Sequence, residues 1–288
     1  MNPATDNRIL RQQAYMTDEH LNVRYQIHEQ YSVPQVDFPR WVLGRVDWRG
    51  DEVVLDLGCG PGIYAEVLMQ QQPGIRYYGL DLSSGMLAKH PYPRSLVQAD
   101  GQYLPFADCT FDVVMANHVL YHLPDIERAT REIRRVLKPE GLLMAATNSA
   151  ESMPQFHDLY KRAIMVLTAP GTQVIVPRPA SHAFTLESGT RYLARQFFAV
   201  VRHDLPGMFV FDKPEPVLAY LESSRSLREP QLPPGVSWDA VMLIVREQIK
   251  NQLNYVGELV VHKLSGVLVA SDRGGFIRDY VIQSEKSA

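Results

Sequence analysis

Short apolar runs alternate with segments of helical periodicity from Glu52 to Ser149. The apolar runs have the length of strands and are rich in Val, Leu and Met, which is typical of strands buried on both faces. The clearest helical segment begins after Asp125, which can cap it, and ends before Pro139. Its apolar stripe consists of Ile126, Ala129, Ile133, Val136 and Leu137. This alternation predicts an α/β fold with helices on both faces of a mostly parallel sheet.

The pattern changes on both sides of this region. Residues 1–45 have helical periodicity, and we expect them to form an N-terminal helical cap. One face of the main helix there is formed by Leu21, Tyr25, His28 and Tyr31. Residues 46–288 are predicted to be one domain, with a helical and loop insertion at about 150–183 over the C-terminal edge of the sheet. Its final strands are expected to rejoin the same sheet.

Composition narrows the class of protein. The formal net charge of the 288 residues is -3 and the isoelectric point is about 6.3, so we expect no nucleic-acid partner. No apolar run reaches the roughly 18 residues of a membrane span, and the first residues lack an apolar signal segment, so we expect a cytoplasmic protein without membrane association. Cys59 and Cys109 make neither a disulfide framework nor a zinc site, and no histidine spacing indicates a metal.

Three glycines follow the first apolar run, in the stretch "VVLDLGCGPG". Glycine between a strand and a helix allows a sharp turn and lets a ligand lie against the main chain. Gly58, Gly60 and Gly62 are spaced G-x-G-x-G, whereas the dinucleotide fingerprint G-x-G-x-x-G would require glycine where Ile63 stands. The loop therefore favours a ligand without a pyrophosphate.

Acidic residues end the next two predicted strands. Asp81 follows the glycines by about 20 residues, where a carboxylate can accept both hydroxyls of a ribose. Asp100 can accept the exocyclic amine of an adenine, and Leu82 and Met86 can pack on either side of that ring. The pattern indicates an adenosine ligand with a free ribose.

Four segments together resemble the class I S-adenosylmethionine-dependent methyltransferases of the small-molecule, type 11-like branch. They are "VVLDLGCGPG", "GLDLS", "ADGQYLPFADCTFDVVMANHVLYHLPD" and "REIRRVLKPEGLLM", and they span residues 50 to 150. The resemblance implies S-adenosyl-L-methionine as cofactor. It also implies a Rossmann-like sheet of seven strands in the order 3-2-1-4-5-7-6, with strand 7 antiparallel.

The resemblance also implies roles for individual residues. Asp56 and Gly58 fall where the family contacts the methionine part of the cofactor, and Gly60 falls under the ribose. Cys59, between the glycines, is also assigned to the cofactor site. The remaining positions that the resemblance assigns to the cofactor are Asp81, Asp100 and Gly101 for the nucleoside, the backbone carbonyl of Asn117 for the methionine amino group, His118 beside the sulfonium, and Tyr25 over the methionine end.

The segment "NHVLYHLPD" supplies the catalytic candidates. His122, Tyr121 or His118 is placed to remove a proton from the acceptor. The alternative is that His122 only braces the loop through its ring nitrogens. A base is dispensable, because alignment alone supplies roughly 7–11 kcal/mol of the barrier and the sulfonium is already activated.

We therefore expect an S-adenosylmethionine-dependent methyltransferase, monomeric or homodimeric, that methylates oxygen, nitrogen or carbon of a small organic acceptor, such as a natural-product precursor. Aromatic residues of the variable segments favour an organic acceptor: Phe156, Tyr160, Phe184, Phe209 and Phe211. The alternatives are an RNA or protein methyltransferase and a cofactor-binding protein without catalysis.

Overall fold

The computed structural model describes residues 2–171 and 173–272. One sheet of eight strands forms its centre. The strands are β1 (Ser32–Val33), β2 (Val53–Leu57), β3 (Arg76–Asp81), β4 (Leu96–Gln98), β5 (Phe111–Met115), β6 (Leu137–Asn148), β7 (Ala199–Phe211) and β8 (Leu259–Ser271).

Eleven α-helices are present in the described part of the chain. They are α1 (Asn7–Ile9), α2 (Glu19–Tyr31), α3 (Phe38–Leu43), α4 (Ile63–Gln71), α5 (Ser84–Leu87), α6 (Ile126–Val136), α7 (Pro154–Leu167), α8 (Leu186–Leu193), α9 (Pro214–Glu222), α10 (Arg225–Arg228) and α11 (Trp238–Val256). A π-helical turn spans Leu10–Ala14. The 3-10 turns are Pro3–Thr5, Pro93–Ser95, Leu120–His122, Ala180–Ala183 and Glu229–Gln231. None of the described helices combines the length and apolar character that crossing a membrane requires.

The strand order is β1-β7-β8-β6-β5-β2-β3-β4. Read from β4 to β7, this is the predicted order 3-2-1-4-5-7-6, and β8 is the predicted antiparallel strand. The prediction of seven strands is short by one, because β1 pairs antiparallel with the outer edge of β7. A strand of two residues is too short to produce an apolar alternation in the sequence.

Alternate residues of the central strand pack into cores on opposite faces of the sheet. Val53, Leu55 and Leu57 face α6 and α8, whereas Val54 faces α3 and α4. All five residues of β2 are buried. This arrangement fixes the carboxyl ends of β2, β3 and β5 at one edge, where the site lies.

A third core lies beyond the sheet. β7 and β8 pair over their whole lengths, but β6 pairs with β8 only at 265–271, so residues 206–211 and 259–264 project as a two-stranded ribbon. Phe209 and Val261 of the ribbon pack with α2, α7, α9 and α11. We call the ribbon and these four helices the roof.

The roof does not coincide with the predicted cap: of residues 1–45 only α2 belongs to the roof, whereas α3 packs on the sheet beside α4. The prediction assigned the cap to residues 1–45 and the insertion to 150–183, but helices between β7 and β8 also belong to it. β7 and β8 are antiparallel neighbours, as in a hairpin, but α9, α10 and α11 connect them.

Candidate active site

A cavity of about 1150 Å³ lies between the carboxyl ends of the central strands and the roof. Its lower end is lined by the loop from β2 to α4 and by residues that follow β3, β4 and β5. Its upper end is lined by α2, by the segment that follows β6, and by residues 220–228. Pockets for single ligands usually measure about 300–1,000 Å³, so this cavity has room for two small molecules side by side.

The three glycines of the loop have positive φ angles: +70° at Gly58, +54° at Gly60 and +92° at Gly62. A Cβ atom on Gly58 would lie 2.4 Å from Val119, and one on Gly62 would lie 2.5 Å from Pro91. A Cβ atom on Gly60 would meet no protein atom within 4 Å. Packing therefore requires glycine at the first and third positions, whereas Gly60 presents bare main chain to the cavity.

Asp81 lies beside Gly60 at the end of β3. Its carboxylate accepts hydrogen bonds from the backbone N–H groups of Gly60 (2.9 Å) and Ser83 (2.8 Å). Burial raises its pKa, and these bonds oppose that rise. An ionised carboxylate offers about four acceptor positions, so two remain for the hydroxyls of a ribose.

The nucleoside candidates Asp100, Gly101, Leu82 and Met86 all line the cavity. Asp100 accepts hydrogen bonds from Gln102 and, at 3.3 Å, from the side chain of Asn7. Its Oδ2 also receives the Gln102 amide at 3.2 Å, so an adenine amine would share or replace these donors.

Asp56 lies behind the loop and is not among the residues that line the cavity, so its expected contact with the methionine part of the ligand stays a prediction. Its carboxyl accepts a hydrogen bond of 3.0 Å from Tyr77, whose hydroxyl lies 3.0 Å from His90 Nε2. Burial raises the pKa of Asp56 to about 7. Cys59 does line the cavity, but burial raises the pKa of its thiol, so it is a neutral packing residue and not a nucleophile.

Two buried polar atoms beside the loop have no hydrogen-bond partner among the described residues: Asn117 Nδ2 and the Tyr64 hydroxyl. Both residues line the cavity. Asn117 Oδ1 accepts the backbone N–H of Ala146 at 3.1 Å, which leaves the amide donor for a ligand. Buried donors of this kind are costly unless something satisfies them, so they fit the amino-acid end of S-adenosylmethionine. Tyr25 lines the same cavity, and burial raises its pKa to about 12.

Both ring nitrogens of His122 are engaged within the protein. Nδ1 lies 2.8 Å from the carbonyl oxygen of Ala4, and Nε2 lies 2.8 Å from the hydroxyl of Tyr15. A carbonyl only accepts, so Nδ1 carries the proton and Nε2 accepts from Tyr15. This geometry supports a structural role for His122, in which its ring nitrogens hold the loop. It argues against a role as general base, because neither nitrogen is available to an acceptor.

His118 and Tyr121 also line the cavity. His118 adopts a left-handed conformation at φ +56°, and burial lowers its pKa to about 4. Burial raises the pKa of Tyr121. Both groups are therefore neutral near pH 7. Of the three catalytic candidates, only His118 has a neutral imidazole ring without a described hydrogen bond, so it can accept a proton from a ligand.

Residues 2–18, which we call the strap, lie across the lower end of the cavity. Ala4 and Tyr15 bind His122, Asn7 binds Asp100, and the Tyr15 carbonyl accepts the Ser83 hydroxyl at 2.7 Å. No local sequence pattern indicates the roles of Asn7 and Tyr15, since their partners Asp100 and His122 lie about a hundred positions away.

The aromatic residues offered as evidence for an organic acceptor have a different role. Of the five, only Phe156 lines the cavity; Tyr160, Phe184, Phe209 and Phe211 are core residues with 0–1% exposure. Within residues 2–171 and 173–272, no group of three or more His, Cys, Asp or Glu side chains is placed to hold a metal ion.

Residues 55–145 match the family model described as "Methyltransferase domain". A demethylmenaquinone methyltransferase of Corynebacterium urealyticum is 35% identical over 145 residues, which cover 50% of this chain and 62% of that protein. A malonyl-[acyl-carrier protein] O-methyltransferase of Legionella pneumophila is 35% identical over 116 residues, covering 38% of this chain and 41% of that protein. The chain thus spans less than two thirds of the length of these relatives.

Solved structures share the fold. Phosphoethanolamine N-methyltransferase 2 of Haemonchus contortus, in complex with S-adenosyl-L-methionine, aligns with a TM-score of 0.54 at 17% identity, covering 94% of this chain and 60% of that chain. The YcgJ protein of Bacillus subtilis aligns with a TM-score of 0.52 at 18% identity, covering 83% and 100%.

The sheet order is the one expected for the class I S-adenosylmethionine-dependent methyltransferase fold, and the solved structures above share that fold. Within the sheet, residues 55–145 are similar to the methyltransferase domain family.

Proposed function

We propose that the protein transfers a methyl group from S-adenosylmethionine to a small organic acceptor bound under the roof. The observation that carries this proposal is a single cavity whose lower end has the Gly60 main chain and Asp81, and whose upper end is closed by α2 and residues 220–228. The relatives are named for acceptors as different as a demethylmenaquinone and a malonyl-[acyl-carrier protein], which supports the class of reaction but leaves the acceptor open.

When bound, S-adenosylmethionine supplies a methyl group on a positively charged sulfur that needs no further activation. The protein positions the methyl donor and the acceptor and excludes water from the cavity. Asp81 orients the ribose, and Asn117 and Tyr64 offer donors to the amino-acid end. The strap and roof cover the two ends, so an acceptor is held against the donor, and such alignment is worth roughly 7–11 kcal/mol of the barrier.

The remaining expectations accompany this proposal. Methylation on oxygen, nitrogen or carbon, a role in natural-product biosynthesis, a cytoplasmic location and a monomeric or homodimeric state stay predictions. We place His118, not His122, nearest to the reacting atoms, and Asp56 behind the loop as a support for its conformation.

Isothermal titration calorimetry with S-adenosylhomocysteine and NAD tests the cofactor site. We expect the first to bind and the second not to bind, because the loop lacks the pyrophosphate fingerprint. Asp81→Ala is expected to weaken binding by about 1–3 kcal/mol, since it removes a charged acceptor of two hydroxyls. The control, Asp108→Ala, removes an exposed carboxylate paired with Arg135 and is expected to bind normally.

Turnover of methyl-labelled S-adenosylmethionine with a panel of phenols, amines and carboxylates then tests catalysis. Labelled product from any small acceptor supports the proposal. Tight NAD binding without a response to S-adenosylhomocysteine would overturn it, and transfer only to RNA or protein would assign a different acceptor class.

A further inference from the structure

Among the cations that line the cavity without a described carboxylate partner, two partly buried ones face its upper end from α2 and from the ribbon. Arg24 of α2 and Lys263 of the ribbon both line it, and neither forms an ion pair with any carboxylate in the described part of the chain. Removing a cation from water without a counter-ion is costly, and such groups are usually paired or bind a ligand. Their presence in one wall of a large cavity therefore calls for an explanation.

Lys263 is held in place by three neutral groups. Its ammonium donates to the hydroxyl of Ser32 and to His28 Nδ1 at 3.2 Å, and it lies 4.4 Å from the ring centroid of Phe209. An ammonium has three N–H donors, so one remains for a ligand. Burial lowers the pKa of Lys263 to about 8, which leaves it mostly protonated at neutral pH.

Arg24 is anchored on its opposite side. Its Nη1 donates to the carbonyl oxygen of Ser223 at 3.0 Å and lies 3.3 Å from the Ser223 hydroxyl. Nη2 and Nε make no hydrogen bond to the described residues. Arg24 therefore keeps part of its planar fork, which matches the geometry of carboxylate and phosphate oxygens.

His28 shows that the two cations act on the same place. It lies one helical turn from Arg24 on α2 and accepts a hydrogen bond from Lys263. Burial in the first place, and then the charges of Lys263 and Arg24, lower the pKa of His28 to about 3. The ring is thus a neutral spacer between two positive charges.

The carboxylates of the cavity lie elsewhere. Asp81 and Asp100 are at the cofactor end, and the other acidic residues that line it are exposed at its rim: Glu29, Asp37, Glu66, Glu151 and Asp158. A third cation of the upper wall, Arg228, donates to the carbonyl of Pro177 and lies 5.0 Å from the Tyr160 ring centroid, again without a described carboxylate partner. The interior of the acceptor end is therefore positively charged.

We propose that Arg24 and Lys263 form an anion subsite, and that the methyl acceptor carries a carboxylate or phosphate group that binds there. This inference rests on the proposed function, because it assigns the upper end of the cavity to the acceptor. The anionic group pairs with both cations and directs the rest of the acceptor down toward His118 and the methyl donor.

Calorimetry on the protein saturated with S-adenosylhomocysteine tests the subsite with small probes. Benzoate and phenyl phosphate represent the two anions, and benzamide and benzyl alcohol are their neutral counterparts. We expect at least one anion to bind ten-fold or more tightly than its neutral counterpart, and the better of the two identifies the anionic group. Equal affinities, or no binding of either anion at millimolar concentration, would overturn the proposal.

Variants test whether Lys263 and Arg24 cause the preference for anionic over neutral probes. Lys263→Met keeps the length of the side chain and its packing on Phe209, and it is expected to lower affinity for the anion ten-fold or more while affinity for the neutral probe stays the same. Arg24→Gln should act in the same direction, and Lys263→Arg should retain the preference. The control, Lys250→Met, removes an exposed lysine of α11 that pairs with Glu247 outside the cavity, and should change nothing.

Two outcomes separate this inference from the proposed function. If S-adenosylhomocysteine binds but excludes the anions, the two cations serve the cofactor's own carboxylate and the inference is wrong while the cofactor site stands. If both variants bind the anions as the wild type does, the subsite lies elsewhere and the inference is again wrong. Thermal melting of each variant verifies that it is folded.

Discussion

His122 is held in one protonation state by its neighbours. Burial lowers its pKa to about 4, although the hydrogen bond to Ala4 opposes the shift. A histidine whose pKa is lower in the folded than in the unfolded protein stabilises the fold above the unfolded value of about 6.5, and this contribution is lost as pH falls toward 4. Protonation also removes the acceptor that Tyr15 needs.

We therefore expect acid to release the strap through His122. The thermal midpoint of the wild type should fall between pH 6.5 and 4, and His122→Gln should show a smaller fall, because glutamine does not titrate. Other buried histidines titrate in both proteins, so the difference between the two curves isolates His122. Each pKa unit is worth about 1.4 kcal/mol, so the difference should reach about 2–3 kcal/mol. Parallel curves would contradict the assignment.

Asp56 behaves in the opposite direction. Its pKa of about 7 lies above the unfolded value of about 3.9, so its contribution to stability is present below pH 3.9 and is lost as pH rises through 7. Asp56→Asn keeps an acceptor for Tyr77 and removes the charge. We expect this variant to unfold in urea at a higher midpoint than the wild type at pH 8, with the gap narrowing by pH 5. A gap that does not change with pH would show that Asp56 is not the titrating group.

Glycines in the loop between β2 and α4 have two different roles: Gly58 is required by packing, and Gly60 faces the ligand. Gly58→Ala would place a methyl group 2.4 Å from Val119 and should unfold at a lower temperature. Gly60→Ala has open space in the protein and costs only about 1 kcal/mol of backbone strain, but its methyl group occupies the ligand surface. We expect Gly60→Ala to melt near the wild-type temperature and to lose at least ten-fold in affinity for S-adenosylhomocysteine. Normal binding by Gly60→Ala would place the ligand elsewhere.

Local signals explain which elements could be predicted from sequence. The glycines, Asp81 and the apolar stripe of α6 each report on their own element, so the sheet and the lower end of the cavity were predictable. Lys263 and His28 are 235 positions apart, and nothing in either segment indicates the other. The position of residues 220–228 in the cavity wall was not predicted for the same reason. A helical pattern shows which face of a helix is apolar, but it does not show which element that face packs against.

The whole molecule has two regions that should respond differently to a ligand. The strap and the loop at 58–62 border the lower end of the cavity, whereas no residue of α11 lines it. In hydrogen–deuterium exchange, we expect S-adenosylhomocysteine to slow exchange in the strap and the loop and to leave α11 unchanged. Exchange of the strap at the same rate with and without the ligand would show that it does not close over the cofactor.

The two-stranded ribbon has a consequence for evolution. The roof is attached to the projecting ends of β7 and β8, whereas Gly60, Asp81 and Asp100 belong to the other half of the sheet. Substitutions in the roof can therefore reshape the acceptor end while the donor end keeps its geometry. A duplicated gene could diverge in residues 212–258 under selection for a new substrate and retain the ability to bind the methyl donor throughout.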